Sequence, residues 1–287
     1  MISNKRIKKL EIFATEIRLE TMKAFAKLGF GHVGGAMSIV DTLSVLYGEI
    51  MKIDPANPKW PDRDWLVVSK GHAGPSVYSA LAIKGYFDKK ELLTLNMPGT
   101  NLPSHCDRNK TVGIDMTTGS LGQGISTAIG VALGNRMDKR DNYTYLILGD
   151  GECDEGQIWE GALFAAHQKL DNLISFVDYN KKQLDGMTCE INDLGDLDAK
   201  FHEFGWHAQR IDGHDIAAIY EAIDEAKKTK GKPSMIVLDT IKGKGCCFVE
   251  EMYFNHHITI SQEQSKRTLS ELENRYTDLK REWEDMQ

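Results

Sequence analysis

The feature that most restricts this chain is a tripeptide and a distant asparagine. Gly149-Asp150-Gly151 closes an apolar run at 143–148, and Asn180 stands just past a second apolar run at 173–177. From 152 through 179, 28 residues intervene, room for a helix at 157–168 and the second strand. Strand, tight turn, helix and strand make a βαβ unit, with parallel strands and a right-handed crossover. The spacing therefore sets Asp150 and Asn180 at the carboxyl ends of two strands, where open parallel sheets bind ligands. Aspartate offers a charged hard oxygen and asparagine a neutral one, a pairing suited to magnesium. Glycine lets backbone approach a phosphate closely, and N–H groups opening the next helix favour an anion. Taken alone, the tripeptide also reads as an ordinary β-turn, with Asn180 a turn residue.

The same rhythm recurs along the chain. Ile7, Leu10, Phe13, Ile17 and Ala24 recur at near-helical spacing and predict a helix over 5–27. Residues 30–36 read as a glycine-rich turn and 39–50 as a helix. A strand at 65–68 runs into the turn Ser69-Lys70-Gly71-His72, and Pro75 opens a helix. Further strands are expected at 206–211 and 234–238. Between them Asp212-Gly213-His214-Asp215 reads as a turn and cap before a helix ending near Lys228. Residues 261–285 form a charged C-terminal helix. The expected fold is α/β: a mostly parallel sheet with helices on both faces, one domain over 1–287.

Composition narrows the function classes. Apolar residues at 41% and charged residues at 27% are ordinary for a globular chain able to bury a core. Net charge is −7 with both signs dispersed, which argues against nucleic acid as the main partner. The basic cluster Lys5-Arg6-Ile7-Lys8-Lys9 reads as a solvated helix face. Cys106, Cys153, Cys189, Cys246 and Cys247 are odd in number and lack paired C-x-x-C spacing. That disfavours a disulfide framework or zinc site and fits a reducing compartment. With no signal sequence and no apolar run near ~20 residues, a cytoplasmic protein without a membrane partner is expected.

Several longer stretches join the tripeptide. They are Ser69-Lys70-Gly71-His72-Ala73, Thr117-Thr118-Gly119-Ser120-Leu121-Gly122-Gln123-Gly124-Ile125-Ser126, Gly149-Asp150-Gly151-Glu152 with Glu155-Gly156 and Trp159-Glu160, and Ile241-Lys242-Gly243-Lys244-Gly245. In this order they resemble the transketolase family, from about residue 12 to at least His256. The Thr-Thr-Gly-Ser-Leu-Gly-Gln-Gly block is the most specific. The resemblance implies a thiamine diphosphate-binding fold and transfer of a two-carbon ketol unit from a ketose to an aldose, phosphorylated sugars being the default. It assigns Asp150, Asn180 and the main-chain carbonyl of Lys182 to magnesium, or to another divalent cation such as calcium or manganese. Gly119 and Leu121 would hold the cofactor's pyrimidine through backbone. His72, Gly151, Glu152, Asn180 and His256 would contact the cofactor.

The implied catalytic set is His32, His72, His105 and His256. His32 would lie near the ketose hydroxyls and carbonyl, His72 near diphosphate and substrate, His105 at the donor's terminal hydroxyl, and His256 between diphosphate and substrate. Histidine suits such proton traffic near neutral pH. Two positions depart from the family pattern. Ser104-His105-Cys106 stands where members often read Gly-His-Pro, and Asn255-His256-His257 where Trp-His-Gly is usual, so His257 is a second match. Glu155 resembles an acid at a subunit interface and also reads as a helix-start glutamate favoured by the dipole.

The glutamate that protonates the cofactor's aminopyrimidine lies, in full-length family members, in a downstream pyrimidine-binding domain. The chain ends at Gln287, about where that domain is expected to begin. The expectation is therefore one half of a split transketolase, with a separate pyrimidine-binding subunit in a heterotetramer. Two other readings compete. The alpha chain of a 2-oxo acid dehydrogenase also carries Gly-Asp-Gly and a distant Asn, but lacks this histidine set and the long glycine block. A non-catalytic binding subunit predicts loss of Asp150 and Asn180, which are present. A split enzyme acting on a branched or sulfonated sugar remains within the same resemblance.

Overall fold

The computed structural model describes residues 2–287. Helix α1 (Asn4–Leu28) opens the chain. The Ser3 hydroxyl accepts from Arg6 N at 3.4 Å, and Gly29 ends the helix at φ 87°, where glycine carries no Cβ penalty. One stripe of α1, including Leu10, Ala14, Ile17, Met22 and Phe25, is buried. The C-terminal helix, Gln262–Asp285, packs along it. Ser265, Thr268, Leu272 and Leu279 form its buried side, and a reciprocal Ser261–Gln264 capping box starts it.

The central sheet consists of β2 (Trp65–Val68), β3 (Thr144–Gly149), β4 (Leu173–Tyr179), β5 (His207–Asp212) and β6 (Ser234–Asp239), all parallel, following β1 (Phe30–Gly31) in the chain. Their order across the sheet is β2-β3-β4-β6-β5. The registers align Gly149 with Asp178 and Asp178 with Leu238, so the strand ends finish on one rim. Strands buried on both faces read as unbroken apolar runs, and alternate residues here feed two cores. Tyr145, Ile147, Phe176, Ile236 and Leu238 pack into the layer of α1, α3 (Val40–Val45), α4 (Gly74–Lys84) and α9 (Ile216–Lys228). Leu146, Leu148, Val177, Met235 and Val237 pack against α5 (Gln123–Met137), α6 (Gly156–His167) and α8 (Leu197–Glu203). Helices on both faces of a parallel sheet match the expectation, and the strands fall within one or two residues of the predicted runs.

Two segments differ from the sequence reading. The stretch 30–36, expected as a turn, is β1 followed by α2 (Val33–Met37). Strand β1 pairs antiparallel with β7 (Ile258–Thr259), Phe30 opposite Thr259 and Gly31 opposite Ile258. The glycines of α2 serve close packing: a Cβ on Gly35 would stand 2.8 Å from His72 Nε2. The second difference is α5, a 15-residue helix where the sequence shows only a glycine-rich block. Two short helices, α7 (Thr188–Ile191) and α10 (Cys247–Glu251), sit in the loops after β4 and β6. The C-terminal helix is α11. Among the described residues, no helix is long and apolar enough to cross a membrane.

Candidate functional site

The rim of the sheet is organised around a buried ion pair. Lys70, two residues past β2, reaches Asp178 near the end of β4 with Nζ to Oδ2 at 2.5 Å, and also donates to the Gly35 carbonyl at 2.8 Å. The Asp178 carboxylate accepts from Ser38 Oγ at 2.6 Å, Thr240 Oγ1 at 2.5 Å and Asn180 Nδ2 at 2.7 Å. Burial alone would raise the Asp178 carboxyl. The Lys70 ammonium and these hydrogen bonds outweigh it and hold the group below its ordinary value.

This carboxylate orients the predicted metal ligand. A carboxylate can only accept, so it takes the nitrogen end of the Asn180 amide and turns Oδ1 the other way, where Lys182 N donates to it at 3.2 Å. Asp150 lies beside it at the end of β3. Its Oδ1 accepts from Gly151 N at 2.8 Å and its Oδ2 from Lys181 N at 2.5 Å. Burial and the neighbouring Asp178 charge push the Asp150 carboxyl up. The Lys182 carbonyl accepts from Lys242 Nζ at 2.7 Å, an ammonium on the very oxygen predicted to face a cation. Burial pulls that ammonium down.

Asp150, Asn180 and Lys182 all line a cavity of ≈ 170 Å³, with Gly35, Lys70, His72, Leu121, Gly151, Glu152, Lys242 and His256. Its donor set is hard oxygen, with two acids, Asp150 and Glu152, neither in an ion pair, a set that fits a divalent cation sharing a diphosphate. Among the described residues no group of three or more His, Cys, Asp or Glu is placed to chelate a metal by itself. A cation here therefore depends on amide, main-chain and phosphate oxygens.

The histidines converge on the same rim. The His32 ring centroid lies 5.3 Å from those of His72, His105 and His256, and 4.7 Å from that of His257. His72 and His256 are 4.7 Å apart. The β1–β7 pair makes this possible, since it joins the residues just before His32 to those just after His257. Burial lowers all four predicted catalytic histidines. His32 falls to about 4, helped by His257, His105 and Lys242, and His256 to about 3, helped by Lys242. His72 falls well below its ordinary value and His105 falls by burial alone. At neutral pH these rings are uncharged, each offering one donor and one acceptor. His256 lines the cavity and meets Lys242 Nζ through Nδ1 at 3.2 Å. His257 is more exposed and lies tilted against Phe30, the ring centroids 5.8 Å apart.

Other predicted positions take different places. Leu121 lines the cavity, while Gly119, at φ 135°, packs so closely that a Cβ would sit 2.9 Å from His105 Cδ2. The Gly151 N–H, expected to face diphosphate, donates to Asp150. Glu152 lines the cavity, yet its carboxylate accepts from Ser69 Oγ, from Gly122 N at 2.8 Å and from Gly149 N at 3.0 Å. It clamps three loops together. Glu155 is exposed at the N-cap of α6 and makes no side-chain cap bond.

Asp215 caps α9 as expected, accepting from Ala217 N and Ala218 N. His214 does more than turn the chain. Its Nδ1 meets Asp41 Oδ2 at 2.8 Å, and its Nε2 accepts from Ile241 N at 2.8 Å, next to Lys242. Asp41 is held in turn by Arg18 of α1 through two bonds of 2.9 and 2.6 Å. Sequence reasoning missed Lys70, Asp178 and Lys242 as site residues. The signals present were a lysine inside the Ser-Lys-Gly-His turn, a lone acid closing an apolar strand, and a lysine in the Lys-Gly-Lys-Gly stretch.

Comparison with known proteins agrees with this geometry. Residues 10–275 match the family described as transketolase, thiamine diphosphate binding domain. The chain is 57% identical over 260 residues to the 6-deoxy-6-sulfo-D-fructose transketolase subunit SqwG of Clostridium sp. (strain MSTE9), covering 91% of this chain and 94% of the relative. It is 33% identical to one of the subunits of the apulose-4-phosphate transketolase of Phocaeicola vulgatus, covering 96% and 98%. Among solved structures, a Pichia stipitis transketolase complex with sedoheptulose 7-phosphate superposes with a TM-score of 0.85 at 31% identity. That match covers 99% of this chain but 45% of the other. The chain thus spans less than half of that full-length enzyme and nearly all of the two relatives named as subunits. By motif, fold and family match, this chain belongs to the transketolase family and comprises its thiamine diphosphate-binding domain.

Proposed function

We propose that the chain is the diphosphate-binding half of a two-subunit transketolase and acts in ketol transfer together with a separate pyrimidine-binding chain. The observation that carries this reading is the convergence of an oriented Asp150–Asn180–Lys182 oxygen set with five histidine rings on one rim. Thiamine diphosphate, when bound, supplies the nucleophilic carbon and the electron sink that carbon–carbon cleavage requires. Asp150, Asn180 and the Lys182 carbonyl hold a divalent cation, magnesium by default, against the diphosphate. Lys70 and Asp178 keep Asn180 turned toward that cation. Neutral His32, His72, His105 and His256 orient the sugar's hydroxyls and carbonyl, and move protons between them and water.

Two features support a partner. The cavity of ≈ 170 Å³ falls below the ~300–1,000 Å³ of ordinary ligand pockets, as expected of half a site. Leu184, which lines it, is 61% exposed, and Phe254, nearby in the chain to His256, is 63% exposed. Exposed apolar groups beside a partial pocket fit coverage by a second protein, in a heterotetramer of two chains of each kind. The 57% relative is named for a sulfonated ketose, and this makes 6-deoxy-6-sulfo-D-fructose the first donor to assay, ahead of xylulose 5-phosphate.

The test is ketol transfer to an aldose phosphate with thiamine diphosphate and magnesium, for the chain alone and with a pyrimidine-binding subunit. Activity only in the mixture is expected. Turnover by the chain alone would refute the two-chain assignment. A stable complex that binds the cofactor yet transfers no ketol unit from either donor would refute the substrate assignment.

A further inference from the structure

A second concave feature lies at the other end of the edge strand. Beside Trp65, the first residue of β2, a cleft of ≈ 750 Å³ opens between residues 57–65, the 108–115 loop and the last turn of α5. Its chemistry is unlike that of the histidine rim. Arg63 is committed to Asp115, with Nη2 to Oδ1 at 2.5 Å, and its guanidinium lies 4.0 Å over the Trp65 ring. The other oxygen of Asp115 accepts from Leu66 N at 2.9 Å. The second acid of the cleft, Asp138, meets Arg140 at 3.3 Å. Both acids are therefore consumed internally. Lys59, Arg108 and Lys110 line the same space without a salt bridge among the described residues, Arg108 lying near enough to Asp115 to help counter burial, which pushes that carboxyl up, in a chain of net charge −7.

Two lining residues also carry buried donors without a partner among the described residues: the Trp65 indole N–H and the Asn135 amide nitrogen. Asn135 is only 7% exposed. Turning its amide over merely exchanges the orphaned nitrogen for oxygen. Native proteins pair nearly all buried polar groups, and an unpaired one is unfavourable. The cations that face the cleft without a salt bridge are complementary to an oxyanion.

We propose that this cleft binds a phosphate- or sulfonate-bearing small molecule. Lys59, Arg108 and Lys110 supply the charge, and the Trp65 indole N–H, buried just beneath the lining, lies close enough to sense the bound group. The proposal stands independently of the ketol-transfer reading. It bears on the rim nonetheless, because the 105–118 segment that lines the cleft also carries His105 and leads into Gly119, pinned by Cys106 N to the Gly71 carbonyl at 3.3 Å and by Thr118 N to the Cys106 carbonyl at 3.1 Å.

The test follows the Trp65 indole N–H by heteronuclear magnetic resonance on the full chain. The five tryptophans give five indole signals, and Trp65→Phe identifies the right one. The chain is titrated with inorganic phosphate, with fructose 6-phosphate and with a sulfonated hexose. A saturable movement of the Trp65 signal is expected, with its midpoint raised about tenfold in an Arg108→Ala/Lys110→Ala double variant, both residues being exposed. Equal midpoints for phosphate and the sugars assign the site to the free ion, and a tighter sugar assigns it to the ester or sulfonate. A signal unmoved at about 20 mM of every ligand, or a midpoint unchanged in the double variant, overturns the proposal.

Discussion

Charges at the sheet rim and charges along the helix pair α1–α11 obey different rules. At the rim, Lys70 and Asp178 are 2% and 0% exposed, and each is wrapped in further hydrogen bonds. On the helix pair, Lys8 meets Glu11 at 2.5 Å and Glu282 at 2.7 Å, with Glu282 half in water. The distances are alike and the consequences are not. Breaking a buried pair strands a desolvated charge, whereas water replaces a lost partner at the surface. What a charge contributes here is set by what surrounds it, not by the length of its bond.

The largest break in this contrast is Asp178→Ala. It should cost about 3–5 kcal/mol in a denaturant melt, since Lys70 is left buried and unpaired. Adding Lys70→Met should restore part of the loss. A double variant no more stable than the single one would show that the pair is not a unit. Asp150→Ala should abolish magnesium-dependent binding of thiamine diphosphate in the assembled enzyme, measured by calorimetry. Unchanged affinity would remove Asp150 from the metal site.

His32→Ala should lower turnover by about 10²- to 10⁴-fold with cofactor affinity retained, the span expected for a general acid–base group. The same variant tests the pH behaviour of the cofactor-free chain. His32 is held near 4 in the folded chain against an ordinary 6.5, so the unfolded chain binds more protons between those values. Stability then rises with pH across that window and is lost as pH falls through it. The slope of melting temperature against pH should be shallower in His32→Ala, and an identical slope would show that the ring is not the group titrating. At the small end, Glu282→Ala should leave the melting temperature unchanged within error. A clear drop would mean that the helix pair obeys the rules of the rim.

The sequence is most legible where chemistry and local geometry coincide. Asp150 and Asn180 belong together because one βαβ unit fixes their relation. The histidines stand out through motif context, although what gathers them, the two-residue pairing of β1 with β7, leaves almost no trace in a stretch of glycines. Lys70 and Asp178 stand 108 residues apart, and no local pattern ties a turn lysine to a strand-end acid. Helix α5 is hidden for another reason. Its inward residues Ile125, Ala128, Ile129 and Ala132 are small or apolar, but so are Gly130 and Gly134 on its open side, so the helical period is faint. Glu152 shows the limit of motif reading. It belongs to the signature and lines the cavity, yet its visible work is to clamp loops.

The line from Arg18 through Asp41 and His214 to Ile241 N reaches beyond architecture. It connects a helix outside the sheet to the backbone step that delivers Lys242 to the rim. His214 can accept from Ile241 only through a bare Nε2, and Asp41 secures that by accepting the proton carried on Nδ1 in a hydrogen bond. The tautomer of a histidine away from the rim thus bears on the backbone step next to Lys242, which lines the cavity. The first helix thereby shares in setting the rim: Arg18→Ala would strand the buried Asp41 carboxylate, so the loss would register in stability as well as in the placement of Lys242.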